Sequence, residues 1–344
     1  MCFTLEISLV GYFHLKKILN DANEVVNEEL EGIELLYSRV LRRIPNTNVI
    51  VRKDAPKLGK ASVVSGGGSG HEPLHWGFVG KGILDAAIAG EVFTAPTPDQ
   101  IYAAIKEVNG AKGVLLIINN YSGDIMNFKL AEELAIEDGI EVKHVIVNDD
   151  VAVLAKEKRR GVAGGIFIEK IAGAKAETGA NLDDVLSLTE RAISNTRSMG
   201  VALTSCTLPR MGSPMFQIGE DEMELGIGVH GEKGIERMKL KSADEIASLL
   251  FDRVSKDLDL RTGDEVALLV NGMGGTPMME LLIFSRAVLR LLQYADVKIF
   301  RSIVGSFVTS LDMAGVSLSL IRVDDEMKEL LLSPDTTPSF PKIV

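Results

Sequence analysis

The chain contains 344 residues, of which 46% are apolar, 25% are charged and 5% are aromatic. These are the values of a globular protein with room for a substantial core in one large or two medium domains. The net charge of −11 argues against a nucleic-acid-binding surface, which needs clustered Lys and Arg. Because two cysteines, Cys2 and Cys206, cannot form a disulfide framework, we expect a reducing, cytoplasmic location.

Residues 1–15 need a separate interpretation. They are mainly apolar, but no Lys or Arg precedes the apolar run, and Lys16 and Lys17 follow it. A signal peptide has the opposite order, and a membrane-spanning helix needs about twenty apolar residues. We therefore predict that residues 1–15 form an extension outside the main fold. No other stretch is long and apolar enough to span a bilayer, so we expect no membrane association.

Helical and strand patterns alternate along both halves of the chain. The first half predicts, in order, helix 17–41, strand 61–65, strand 113–118, helix 127–137, strand 141–147, helix 163–178 and helix 182–198. The second half predicts strands at 201–206, 222–229, 265–270, 297–304 and 316–323, with helices at 242–256 and 277–293. The six apolar residues at 113–118 are typical of a buried parallel strand, and Asn181 suits a helix N-cap.

This alternation predicts an α/β protein made of two α/β domains. We place the first domain at residues 16–200, with a largely parallel sheet, and the second at residues 201–344, with a mixed sheet. In open α/β sheets, ligands bind at the loops beyond the carboxyl ends of the strands. The substrate site is therefore expected at the loops that follow predicted strands.

Three such loops carry glycines and reactive side chains: 65–73 (SGGGSGHEP), 119–124 (NNYSGD) and 226–234 (GIGVHGEKG). Glycines at the first loop would let backbone N–H groups face a bound oxygen, and Pro73 suits the first turn of a following helix. The cluster matches neither a phosphate loop nor the dinucleotide fingerprint. Outside these loops, we assign ordinary structural roles to His14, His75 and His144.

Six motifs, taken together and in order, resemble the K subunit of dihydroxyacetone kinases, the subunit that binds dihydroxyacetone. They are GGGSGHEP at 66–73, GEVFT at 90–94, NYSGD at 120–124, RRGVA at 159–163, GVHGE at 228–232 and SLDMAG at 310–315. The resemblance runs from about residue 16 to residue 338. It therefore begins where the proposed extension ends.

The resemblance implies a covalent mechanism of substrate binding. In that family an imidazole like that of His230 attacks the ketone carbon and forms a hemiaminal, which requires a neutral ring. By the same matching, Asp124 would take the proton from the hydroxyl that is phosphorylated, and His71 would bind the substrate and share the acid–base work. We expect the flanking glycines to keep both faces of the His230 ring accessible. The remaining substrate contacts would come from Gly68, Ser69, Gly70 and Asn119.

Two positions depart from the pattern of the better-known members. Asn119 stands where Lys is frequent, and Ala95 stands where Ser is frequent. Asn can still hydrogen-bond a substrate hydroxyl, but it removes a positive charge from a site where phosphate charge arrives.

The sequence shows no means of holding the phosphate donor. We find no phosphate loop with a lysine and no aspartate cluster suited to magnesium on a nucleotide, whereas phosphoryl transfer needs cations on the phosphates. We therefore expect no cofactor or metal on this chain. The resemblance implies that ADP or ATP and Mg²⁺ reside on a partner like the family's L subunit, and that the K-type chain is a homodimer.

Other functions stay open at this stage. The family includes paralogues that bind the same ketone and regulate transcription as non-enzymatic sensors, and a fatty-acid-binding protein of related fold is a third alternative. Asp124 and His71 beside His230 favour the enzyme, because a sensor needs only the covalent histidine and the pocket. The sequence does not distinguish ATP from a phosphotransferase protein as the ultimate donor, or dihydroxyacetone from another short ketose.

Overall fold

A computed structural model describes residues 16–341 of the chain. The proposed extension at residues 1–15 lies outside the described residues. Two six-stranded sheets and eight α-helices account for most of the described part.

The first sheet is largely parallel. Its spatial order is β1 (Leu41–Arg43), β2 (Val49–Arg52), β4 (Ala86–Val92), β3 (Ser62–Ser69), β5 (Val114–Asn119) and β6 (Val142–Val147). The four strands β4, β3, β5 and β6 run parallel, while β1 and β2 are antiparallel additions at one edge. The helices connected to this sheet are α1 (Val25–Tyr37), α2 (Pro98–Val108), α3 (Ser122–Glu137), α4 (Gly165–Glu177) and α5 (Leu182–Ser194).

The second sheet is mixed. Its spatial order is β11 (Lys298–Gly305), β10 (Glu265–Gly272), β12 (Gly315–Arg322), β7 (Thr196–Ala202), β8 (Glu222–Leu225) and β9 (Glu236–Lys239). Of the neighbouring strand pairs in this sheet, β10 and β11 are parallel and the other four pairs are antiparallel. The remaining helices are α6 (Ala243–Asp257), α7 (Met278–Tyr294) and α8 (Asp325–Leu332). The predicted α/β class, with one largely parallel and one mixed sheet, is confirmed.

The two sheets share a hydrophobic core. Helix α4 is buried along most of its length, and its Ile166 and Phe167 belong to the same cluster as Leu269 of β10 and Ile321 of β12. The proposed domain boundary near residue 200 falls within β7, a strand of the second sheet, and that boundary stays a prediction. Across residues 16–341, no helix combines the length and apolar character needed to cross a bilayer.

Most predicted elements are present with shifted ends. Helix α1 begins at Val25 rather than at residue 17, and α3 begins at Ser122 rather than at residue 127. The Asn181 cap is confirmed, because its side chain accepts a hydrogen bond from the backbone N–H of Asp184. Six elements were not predicted: β1, β2, β4, α2, β9 and α8.

The glycine-rich segment differs most from its prediction. Gly66, Gly67 and Gly68 are not a loop but the second half of β3, where they pair with β4. A Cβ atom at Gly66 would lie 2.6 Å from the carbonyl oxygen of Ile88, so the absence of a side chain permits close strand packing. Pro73 begins no α-helix; a single 3₁₀ turn at Trp76–Phe78 follows it.

Candidate active site

Residues from both halves of the chain meet in one small cavity. Its walls combine the ends of β3 and β5 with the loop between β8 and β9. The cavity measures about 20 Å³, room for about one water molecule, so a larger ligand requires side chains to move outward. The lining residues named from the sequence are Gly68, His71, Asn119, Asp124 and His230, joined by Gly67, Leu74, His75, Tyr121, Gly161, Val162, Val229 and Val308.

His71 is a buried, neutral hydrogen-bond acceptor. Burial, and then the nearby charge of His230, lower the pKa of His71 to about 3. Its Nδ1 lies 2.7 Å from the carbonyl oxygen of Thr309, which can only accept, so Nδ1 carries the hydrogen. The other nitrogen, Nε2, is buried with no partner among residues 16–341. His71 is therefore placed to accept a hydrogen bond at Nε2, and at neutral pH it has no hydrogen to donate there.

Asp124 lies in the first turn of α3, directly after the segment that ends β5. Its side chain is buried, and its Oδ1 has no hydrogen-bond partner within the described part of the chain. Burial raises the pKa of Asp124 to about 6, although the nearby His230 and His75 oppose the rise. A carboxylate with such a pKa is a better proton acceptor at pH 7 than an exposed aspartate.

His230 is oriented by its own loop. Its Nδ1 lies 3.0 Å from Oε1 of Glu232, and its backbone N–H donates to Oε2 of the same carboxylate. Burial alone would raise the pKa of Glu232, but the hydrogen bond from His230 and the charges of His230 and Arg160 lower it to about 2. A carboxylate only accepts, so Nδ1 of His230 carries the hydrogen. The lone pair of the neutral ring is then on Nε2, the nitrogen that remains for bonding.

Aromatic rings surround the imidazole of His230. The ring centroids of His71, Phe93 and Tyr121 lie 4.8, 5.2 and 4.7 Å from that of His230. All three contacts are T-shaped, with the ring planes 68°, 70° and 76° apart. The expectation that both faces of the His230 ring are accessible stays a prediction. The absence of a side chain at Gly228 leaves room for the carboxylate of Glu232, because a Cβ atom there would lie 2.0 Å from Oε2 of Glu232.

The backbone groups of Ser69 and Gly70 make hydrogen bonds within the protein. The carbonyl of Ser69 accepts from the N–H of Phe93, and the N–H of Gly70 donates to Oε1 of Glu72. Neither Ser69 nor Gly70 lines the cavity. Gly68 does line it, and a Cβ atom on Gly68 would lie 2.6 Å from the backbone nitrogen of Thr94. Contact of the substrate with the backbone groups of these three residues stays a prediction.

The sequence interpretation missed His75, which lines the cavity rather than packing in the core. Its Nδ1 lies 2.6 Å from Oε1 of Glu169 on α4, and its Nε2 lies 3.4 Å from Nδ2 of Asn119. The position of His75 four residues after His71 was the available signal. By contrast, His144 on β6 pairs with Glu132 and does not line this cavity. Among residues 16–341, no group of three or more His, Cys, Asp or Glu side chains is placed to hold a metal ion.

Comparisons with known proteins show the family to which the chain belongs. The Dak1 domain matches residues 31–339. The dihydroxyacetone-binding subunit of PTS-dependent dihydroxyacetone kinase 1 from Listeria innocua is 48% identical over 315 residues, which cover 91% of this chain and 95% of that protein. The dihydroxyacetone kinase of C. freundii aligns with a TM-score of 0.89 and 35% identity, over 95% of this chain and 60% of that one.

A third similar protein has a different role. A dihydroxyacetone kinase operon co-activator aligns with a TM-score of 0.87 and 35% identity, over 93% of this chain and 98% of that one.

The family match and the 48% identity extend over most of the chain. The chain therefore belongs to the Dak1 family. Within that family it is similar to separate dihydroxyacetone-binding subunits along nearly their whole length, and the resemblance drawn from the six motifs is confirmed.

Proposed function

We propose that this chain is the substrate-binding, catalytic subunit of a dihydroxyacetone kinase and that it binds the ketose covalently through His230. The observation that carries the proposal is the pairing of His230 with Glu232 beside His71 and Asp124 in one cavity. The Listeria relative, named as a dihydroxyacetone-binding subunit, supports the choice of substrate. Another short ketose with the same central carbonyl fits the same chemistry.

The proposed binding step forms one bond. Nε2 of His230 attacks the central carbon of the ketone, the C=O π electrons move to oxygen, and the oxygen gains a proton to give a hemiaminal. Glu232 accepts the hydrogen bond from Nδ1 and stabilises the positive charge that develops on the ring. Nδ1 then releases its proton. The net result is the transfer of one proton from the ring to the new hydroxyl. Glycerol has no carbonyl and is excluded by this chemistry.

The proposed transfer step uses Asp124 as the base. As a terminal hydroxyl oxygen of the bound ketose attacks the phosphorus, Asp124 accepts the hydroxyl proton, and the bond from phosphorus to the donor oxygen breaks. Nε2 of His71 is a separate acceptor, available to the new hydroxyl on the central carbon, because the reacting hydroxyl gives its only hydrogen to Asp124. The raised pKa of Asp124 keeps the carboxylate basic at neutral pH.

We further propose that the donor resides on a separate L-type subunit, with ADP or ATP and Mg²⁺ bound there, and that this chain is a cytoplasmic homodimer. Support for a separate donor comes from relatives that are named as binding subunits of PTS-dependent or PEP-dependent kinases. Those names favour a donor that is recharged by phosphotransfer over free ATP.

A non-enzymatic co-activator is the second candidate function. It is favoured by the similarity to the operon co-activator, which this chain matches over 98% of that protein's length. A co-activator would need His230 for the ketone but would not need a base at Asp124. Loss of turnover on substitution of Asp124 therefore distinguishes the two functions.

Formation of the adduct tests the proposal directly. Dihydroxyacetone, but not glycerol, should add reversibly to His230 at neutral pH, and ¹³C NMR with ketone labelled at the central carbon should show that carbon changing from carbonyl to tetrahedral. The attack needs the neutral imidazole, because a protonated ring has no lone pair on Nε2.

His230→Ala should abolish the tetrahedral signal, and His144→Ala, outside the cavity, should retain it. Equal binding and equal selectivity in wild type and His230→Ala would overturn the covalent mechanism.

A further inference from the structure

His75 forms a second polar site in the cavity, and neither the binding step nor the transfer step uses it. Its side chain is 6% exposed and that of Glu169 is 2% exposed. A buried pair of ionisable side chains is costly to maintain unless its groups are hydrogen-bonded. The pair therefore requires an explanation beyond packing.

Glu169 fixes the hydrogen of His75 on one nitrogen. The carboxylate comes from α4, the helix between the two sheets, and its Oε1 lies 2.6 Å from Nδ1 of His75. With the carboxylate as acceptor, Nδ1 of the neutral ring carries the hydrogen and Nε2 keeps a lone pair. The side-chain nitrogen of Asn119, 3.4 Å from Nε2, is consistent with an acceptor at that position.

Nε2 of His75 faces the cavity. A Cβ atom added to Gly67, a cavity-lining residue, would lie 3.6 Å from this nitrogen. The cavity thus has Asp124 for the reacting hydroxyl and His75 for another.

We infer that Nε2 of His75, oriented by Glu169, accepts a hydrogen bond from the non-reacting hydroxyl of the bound ketose, which replaces the long 3.4 Å contact from Asn119. The inference rests on the proposed function and adds a specificity-determining residue to it. His75 would select ketoses with a hydroxyl on both carbons that flank the carbonyl. A ligand without the second hydroxyl would leave this buried acceptor with only the long 3.4 Å contact from Asn119, a weaker arrangement than a full hydrogen bond.

Hydroxyacetone, which has the ketone but only one hydroxyl, is the probe. Wild type should bind dihydroxyacetone about 10- to 100-fold more tightly than hydroxyacetone, measured by calorimetric titration of each ketone. His75→Leu should bring that ratio close to one, mainly by weakening the binding of dihydroxyacetone. Glu169→Gln no longer fixes the hydrogen on Nδ1 and should give an intermediate ratio, and His75→Gln, which keeps an acceptor, should restore part of the preference.

The control is Glu132→Gln, which alters the His144–Glu132 pair outside the cavity and should leave the ratio unchanged. A merely structural role of His75 would weaken both ketones equally, so an unchanged ratio in folded His75→Leu overturns the inference. If His75→Leu does not fold, the inference is overturned when Glu169→Gln gives the same ratio of dihydroxyacetone to hydroxyacetone affinity as wild type.

The wild-type result separates this inference from the proposed function. If wild type binds both ketones equally, the inference alone is overturned. If wild type binds neither ketone, the proposed function fails as well.

Discussion

Asp124 illustrates how a residue proposed as the catalytic base can reduce the stability of the fold. Burial raises its pKa from 3.8 to about 6, which means that the folded protein favours the protonated carboxyl. The favourable contribution of this group is complete below pH 3.8 and is lost as the pH rises through about 6. At pH 8 the ionised side chain therefore costs up to about 3 kcal/mol of folding free energy, while it supplies the base that the proposed reaction needs.

Asp124→Asn should separate these two effects. Because Asn does not ionise, the variant should be more stable than wild type at pH 8 by up to about 3 kcal/mol, with the difference vanishing near pH 4. Turnover in a saturating coupled assay with an L-type subunit should fall by about 10²- to 10⁴-fold, while the ketone still binds. Urea unfolding at both pH values measures the stability.

The control for this prediction is Asp99→Asn, an exposed position in the first turn of α2. It should change stability by less than about 0.5 kcal/mol at either pH. Near-wild-type turnover in Asp124→Asn would show that Asp124 is not the base and would favour the co-activator function.

At the scale of elements, β3 places the site through its glycines. Gly68 lies where the strand passes the backbone of Phe93 and Thr94, and a Cβ atom there would be 2.6 Å from the nitrogen of Thr94. Phe93 in turn stacks on His71, with ring centroids 4.9 Å apart, and lies beside His230. Close packing of β3 on the turn at 93–94 is therefore linked to the arrangement of the reactive histidines.

Gly68→Ala should destabilise the protein by about 1–3 kcal/mol, because two backbone segments must separate to admit the methyl group. It should also weaken ketose binding, since Phe93 moves with the turn. Thermal unfolding and ketose titration measure the two effects.

Gly32→Ala is the matched control, because Gly32 is inside α1 and a Cβ atom there meets nothing within 4 Å. That variant should be more stable by about 0.5–1 kcal/mol, from helix propensity alone. Equal effects of the two substitutions would contradict the role of close packing at Gly68.

At the scale of the whole molecule, the site depends on contact between the two halves of the chain. The backbone N–H of Leu311 donates to the carbonyl of Gly70, and the hydroxyl of Ser310 donates to the carbonyl of Val229. Together with the bond from His71 to Thr309, these contacts join the loop after β3, the loop after β8 and the segment before β12. The first sheet supplies His71 and Asp124, and the second supplies His230.

We expect the purified chain alone not to phosphorylate dihydroxyacetone with ATP, because the proposed donor site is on a partner. Coupled detection of dihydroxyacetone phosphate should show no ATP-dependent product above the level without protein. Addition of an L-type subunit and its phosphate source should produce turnover, and the L-type subunit without this chain serves as the control. Robust turnover by the isolated chain, free of other subunits, would refute the partner requirement.

The amino-acid sequence by itself determined the α/β class, the core strands and the main reactive residues. The apolar run at 113–118 is buried as β5 because a parallel strand covered on both faces needs apolar side chains in succession. Asp124, His71 and His230 were candidates because the motifs that contain them, taken together and in order, resemble those of one family, and their catalytic roles are a proposal. These features are local, so the residues next to each position in the sequence are enough to predict them.

Only the tertiary structure decided how these residues are used. The glycines at 66–68 are a strand because β4 approaches them closely, and that approach cannot be deduced from the segment itself. His75 is a cavity residue because Glu169, 94 positions along the chain, accepts its hydrogen bond. The pKa values of His71 and Asp124 likewise depend on burial by residues remote in sequence. Protonation and orientation are set by distant neighbours, and for that reason they required the fold.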